Sequence, residues 1–177
     1  GWVVRCTDEN LHNQDLFYQS EAADTDHRPT LVVVMQQAAP TFVAAGTVAS
    51  GTGAITPALP AGVQANDILL LFLETANQAI SISNQNGGTW TQVTGSPQGT
   101  GTAGGTAATR LTVFWSRYNG TQGAPTVSDS GNHQLGRMIA IRGATTSGDP
   151  WDVTAGGVEA ASDTSGSIPG ATTTAAD

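Results

Sequence analysis

The run Ile68-Leu69-Leu70-Leu71-Phe72-Leu73 constrains this chain more than any other stretch. Apolar residues in unbroken succession do not suit a strand with one solvated face, where every second side chain meets water. The run is also far shorter than the ~20 residues that cross a bilayer as a helix. It reads instead as a strand buried on both faces, or as the core strand of a sandwich.

From Pro40 onward, turn signals recur about every ten residues, the spacing of an all-β sandwich or barrel. The pattern predicts strands near 42–49, 53–58, 67–75, 78–83, 89–94, 109–118, 125–129 and 134–142, with another beginning around 168. In the strand 109–118, Leu111, Val113 and Trp115 fall on one face and Arg110, Thr112, Phe114 and Ser116 on the other. Met138, Ala140 and Arg142 alternate with Arg137, Ile139 and Ile141, which gives that strand a dominant inward side and a charged edge. No window has a convincing helical period. Only 11% of residues are charged and 22 are Gly, while Thr, Ala and Ser are abundant, a balance that favours strands and turns. The Gly/Thr/Ala-rich stretch 95–110 has little to bury and is expected to be a mobile hairpin loop, or one ordered only by a neighbour.

Charge and cysteine content narrow the function classes. The net charge is −8, and all six basic residues are arginines, so no lysine-rich patch can track a phosphate backbone. Nucleic acid is therefore not an expected partner, and neither is insertion into a membrane. Cys6 alone cannot form an internal disulfide, and no Cys/His spacing matches a zinc site. No cofactor is implied. The chain opens Gly-Trp-Val-Val and closes Ala-Thr-Thr-Thr-Ala-Ala-Asp, which reads as a fragment of a longer protein.

Residues 1–36 carry three β-type runs: Trp2 to Cys6, Leu16 to Tyr18, and Thr30 to Met35 after the acidic turn at 21–26. Three strands do not close a core, so this segment is expected to be the C-terminal strands of a domain completed upstream or by a neighbouring chain. Residues 37–40 read as a linker, 41–155 as a β-sandwich domain, and 156–177 as a Gly/Ser/Thr-rich segment that starts a further strand. The first segment resembles the end of DNRLRE-type domains through Gly1, Trp2, Phe17, Tyr18, Ser20, Glu21, Arg28, Pro29, Leu31 and Val33. That resemblance implies a jelly-roll β-sandwich related to carbohydrate-binding modules. Residues 40–155 resemble a domain recurrent in tailed-phage virion proteins, through "GTGAITPALPAGVQANDILLLFLETANQAI", "GGTWTQV", "TRLTVFWSRYNGTQGAPTV" and "GRMIAIRGATTSGDPWDV". This second resemblance implies a tail-fibre, appendage or capsid-decoration role and supplies no catalytic residue. The fold expected is all-β: incomplete jelly-roll strands followed by an Ig-like or jelly-roll sandwich.

Several residues admit a sharper reading. Trp90, Trp115, Tyr118 and Trp151 suit an aromatic platform for a sugar ring; alternatively Trp90 and Trp115 fill the core, and Trp151, in a loop, faces an interface. His133 with Asp129 suggests half of a catalytic pair, but no serine sits in a nucleophile elbow. Glu21, Asp24, Asp26 and His27 offer calcium ligands without the glycine and closing glutamate of a dedicated loop, and Arg28 is better placed to pair with these carboxylates than with a ligand. Asp67 suits a turn that accepts backbone amides. Asn119-Gly120-Thr121 is a glycosylation triplet only in a eukaryotic secretory pathway. Trp151, Tyr118 and Arg28 are thus the candidate ligand or interface residues. No catalytic, metal or cofactor-binding residue is expected, and the chain is not expected to be an enzyme.

These readings point to a structural component of a phage virion, outside the cell, which assembles with itself and with other virion proteins. The family analogy makes the homo-oligomer a trimer, and a host glycan is a further partner. The alternative is a secreted bacterial carbohydrate-binding or adhesion module at the cell surface.

Overall fold

The computed structural model describes residues 39–96, 109–157 and 169–174, all within the unit Gln37–Asp177. The predicted strands before residue 37, the acidic turn, Cys6 and Arg28 lie outside the described residues, as do 97–108 of the predicted hairpin loop.

The apolar run is the central strand, β3 (Ile68–Thr75). It pairs antiparallel along its full length with β6 (Arg110–Arg117) on one side and β8 (Gln134–Arg142) on the other. β1 (Thr41–Ala45) and β2 (Ala49–Gly51) share the outer side of β8, and β5 (Thr91–Gln92) closes the opposite edge against β6. A smaller antiparallel layer consists of β4 (Ile82–Asn84) and β7 (Thr126–Val127), with Ile55 bridged to Val127. The protein is all-β: a six-stranded sheet and a two-stranded one, packed face to face as a β-sandwich.

The inner face of β3 carries Leu69, Leu71 and Leu73, none of which touches solvent. Leu71 lies in register between Phe114 of β6 and Met138 of β8, and all three belong to the core with Ile55, Trp90, Val127 and Ala140. Each such side chain contributes about 1.5–3 kcal/mol through the apolar surface it removes from water. Thr75, Thr112 and Ser116 are buried on the same face. Ser116 Oγ accepts a 3.0 Å hydrogen bond from Nε2 of buried Gln122. That pairing lets Ser116 and Gln122 sit inside as hydrogen-bonded partners.

Four expectations need correction. Trp115 is not in the core: the buried face of β6 is Thr112, Phe114 and Ser116, and Trp115 lies half-buried on the opposite side of the sheet. The predicted strand 42–49 is two strands, separated by residues 46–48, where the backbone of Gly46 packs so close to the Ala58 carbonyl that a side chain would collide. The Gly46 amide still bonds the Met138 carbonyl at 2.8 Å, and its carbonyl accepts from Arg137 Nε. Residues 53–58 contribute a single bridge at Ile55 rather than a strand, since Pro57 has no N–H to give a ladder. Residues 169–174 carry no strand.

The entry to β3 is held by charge. Asn66 takes a left-handed conformation (φ 74°), which turns the chain so that Asp67 accepts the Gln64 amide at 2.7 Å, the role expected for it. Arg142, at the end of β8, donates Nε to Asp67 Oδ1 at 2.9 Å and Nη2 to Oδ2 at 2.8 Å. Asp67 is 2% exposed and Arg142 39%, so the carboxylate depends on this fork while the guanidinium keeps some water. Arg142, helped by the Gln64 amide and against the opposing effect of burial, holds the Asp67 carboxyl below its usual pKa. A depressed carboxyl adds stability that is present above the unfolded pKa of ~3.9 and is lost as pH falls through the folded value. Asp67→Asn is therefore expected to cost about 2 kcal/mol at neutral pH. In urea melts the gap between wild type and variant should close on acidification below pH ~4; a gap that does not change with pH would assign the loss to packing instead.

Candidate functional site

Strand alternation that buries one face of the large sheet turns a second set of side chains the other way. Ladder registers arrange this outer face in rows. Phe42, Ile141, Ile68 and Arg117 form the first, and Ile139, Leu70, Trp115 and Thr91 the second. Arg137, Phe72 and Val113 form the third, and Leu135, Glu74 and Leu111 the fourth. Most of these residues are apolar, and Phe42, Leu111 and Leu135 are 63%, 41% and 43% exposed. A solvated sheet face ordinarily alternates to polar residues, and this one does not.

Part of the face is covered by the segment after β8. Trp151 meets Trp115 edge to face, with ring centroids 5.2 Å apart and planes at 77°. Such a contact holds both rings in place. Arg117 anchors the same segment, donating Nη1 to the Thr145 carbonyl and Nη2 to that of Gly148, the latter at 3.1 Å. Two concavities flank the tryptophan pair. The larger, about 520 Å³, is bounded by Leu70, Phe72, Val93 and Val113 of the sheet and by Trp151 and Val153 of the segment. The smaller, about 290 Å³, is lined by Thr89, Thr91, Trp115, Arg117, Asn119 and Gln122.

Of the four aromatic residues considered for a platform, the fold brings two together. Trp90 is buried in the core, as one reading expected. Tyr118 packs against that same core from the inner side of the sheet, with its backbone paired to Asn66 and Asp67, so it does not join Trp151. Trp151 does sit at a surface, against Trp115.

Asp129 and His133 are not partners. Asp129 Oδ1 accepts the Gly131 amide at 2.7 Å, whereas His133 Nε2 faces Glu74 Oε1 at 3.3 Å. Among the described residues no three His, Cys, Asp or Glu side chains gather as a metal centre. The Asn119 side chain is committed to its own turn: Oδ1 accepts the Thr121 and Gln122 amides at 2.9 and 2.7 Å, and Nδ2 donates to the Gly87 carbonyl at 2.8 Å. A glycan at this position would compete with the bond to Gly87.

Sequence reasoning missed Arg117 as the anchor of the covering segment and Arg142 as the partner of Asp67. Both sit on strands, where periodicity assigns a face but names no partner from a distant loop. Alternation along β6 contained the signal for Trp115, because one of its two faces had to be outward; the hydroxyl-bearing face is the inner one because Gln122 is there to satisfy Ser116.

Comparisons of the chain with family models, with curated proteins and with solved structures find no significant match.

Proposed function

We propose that this protein is a structural component of a bacteriophage particle, a fibre, tail appendage or capsid decoration, that works by non-covalent self-assembly. The observation that carries the reading is the outer face of the large sheet, apolar across four strands with Phe42, Leu111 and Leu135 left exposed. Stacking against the same face of a second copy removes these side chains from water, and Glu74, between Leu135 and Leu111, sets a charge that the facing copy must meet with a polar partner such as Arg137. The resemblance of residues 40–155 to virion domains directs this assembly chemistry to a particle. Leu111→Lys is expected to shift the mass measured by light scattering from oligomer to monomer while the chain keeps the circular-dichroism spectrum of the folded sandwich, because Leu111 is already exposed in the single chain. A wild-type protein that stays monomeric at its highest soluble concentration overturns the assembly reading.

A second reading, adhesion to a host-surface glycan, is favoured by the paired Trp115 and Trp151 beside a polar concavity.

A further inference from the structure

We infer that the concavity formed by Thr89, Thr91, Trp115, Arg117, Asn119 and Gln122 is a subsite for one carboxylate-bearing sugar ring, a hexuronate unit of a surface polysaccharide. The inference rests on the adhesion reading and goes beyond it by naming the pocket and the ligand class.

Size sets the first limit. At about 290 Å³ the concavity lies at the low end of the ~300–1,000 Å³ typical of small-molecule sites, which suits a single pyranose rather than a chain of rings buried whole. Trp115 supplies an apolar wall whose electron-rich face attracts the C–H edge of a sugar ring, and Trp151 holds it against rotation. Thr89 and Thr91 are exposed, and no protein group among the described residues bonds their hydroxyls. Each hydroxyl both donates and accepts, which matches the mixed needs of a polyol. Asn119 and Gln122 form a floor that binding does not have to order, because their side chains are already bonded within the turn and to Ser116.

Charge sets the second limit. Arg117 is the one ionised group lining the concavity, and among the described residues it meets no carboxylate. Its two hydrogen bonds go to the neutral carbonyls of Thr145 and Gly148, which fix the guanidinium without cancelling its charge. Of its five N–H donors, Nε–H and one hydrogen on each Nη remain for a ligand. A pre-positioned guanidinium beside an aromatic wall and two free hydroxyls suits a ring with both hydroxyls and a carboxylate. The net charge of −8 opposes any anion at long range, so the Arg117 contact has to act at short range and is screened little by salt only where the pocket excludes water.

The test titrates the full ¹⁵N-labelled chain with methyl β-D-glucuronide, methyl β-D-glucoside and inorganic phosphate, following the indole N–H signals and the Arg117 Nε–H signal. The expected result is movement of the Trp115 and Arg117 signals with the glucuronide, bound ~10-fold more tightly than the glucoside. Thr91→Val should weaken binding severalfold at an unchanged melting temperature, since Thr91 is exposed and its hydroxyl bonds no other group among the described residues. Arg117→Gln should erase the preference for the acid, the glucuronide losing more affinity than the glucoside, because the charge is lost in addition to the tether to Thr145 and Gly148. Equal binding of both glycosides overturns the selection of an acid and leaves the adhesion reading standing. Glycoside binding that persists in Trp115→Ala, or leaves the Trp115 signal still, overturns the site. The same shifts with phosphate overturn it in favour of a simple anion site. Binding of neither glycoside overturns both the subsite and the adhesion reading, while the assembly reading stands on its own measurement.

Discussion

Leu71→Ala is expected to lower the free energy of unfolding by about 3–4 kcal/mol, one of the two largest losses anticipated for a single substitution in this chain. Leu71 is wholly buried at the midpoint of β3, with Phe114 and Met138 beside it in register. Truncation removes the transfer free energy of three carbon atoms and leaves a cavity. The two neighbouring strands are paired along the whole length of β3, so they cannot close in to fill it. Leu70→Ala, one residue away, deletes the same atoms from the half-buried outer face and is expected to cost about half as much. Urea unfolding of the two variants, at equal denaturant dependence, checks the comparison. Equal losses would mean that the outer face is as tightly packed as the inner one, which would remove the basis for treating it as a binding face.

Gly136→Val is the second, with an expected loss of about 3 kcal/mol. A Cβ at Gly136 would lie 2.7 Å from Leu73 Cδ2, 2.8 Å from Pro57 Cγ and 3.3 Å from Ile55 Cδ1. The Leu73 terminus is the flexible member of the three, yet it is fully buried and has nowhere to go; the Pro57 ring is rigid. The glycine therefore lets β8 approach the Ile55–Pro57 segment, and any side chain forces the layers apart. Gly53→Ala serves as the control: a Cβ there meets nothing within 4 Å, and the substitution should be neutral or stabilise by a few tenths of a kcal/mol through the unfolded chain. If calorimetry finds the two substitutions equally harmful, the cost at Gly136 comes from the strand backbone and not from the inter-layer contact.

These expectations bear on function because both layers of the sandwich serve the outer face. β3 is held by the inner core, and its other side presents Leu70 and Phe72 to the larger concavity. β6 places Trp115 and Arg117 two residues apart on one side of the sheet, where one stacks on the covering segment and the other tethers it. A rigid strand fixes the spacing of two such groups more closely than a loop would, which is why binding groups mounted on strands need little ordering when a ligand or a second subunit arrives.

The amino-acid pattern alone determined the all-β class, the position of the buried central strand and the strands at 110–117 and 134–142. Hydrophobic period and turn residues are local properties, and the unbroken apolar run marks β3 as the core strand of the sandwich. The Asn66–Asp67 turn was legible for the same reason, since the residue types that favour a left-handed turn and accept backbone amides stand next to each other. Only the tertiary structure decided which face of β6 points inward, that the first strand breaks where Gly46 packs against Ala58, and that Arg142 and Arg117 reach Asp67 and the loop carbonyls. Each of those outcomes depends on atoms far away in sequence: Gln122 beneath Ser116, the Ala58 carbonyl beside Gly46, the end of β8 beside the entry to β3. Alternation tells the two sides of a strand apart, but the inner side is chosen by whichever partner satisfies its polar groups and fills its volume, and that partner is supplied by the fold.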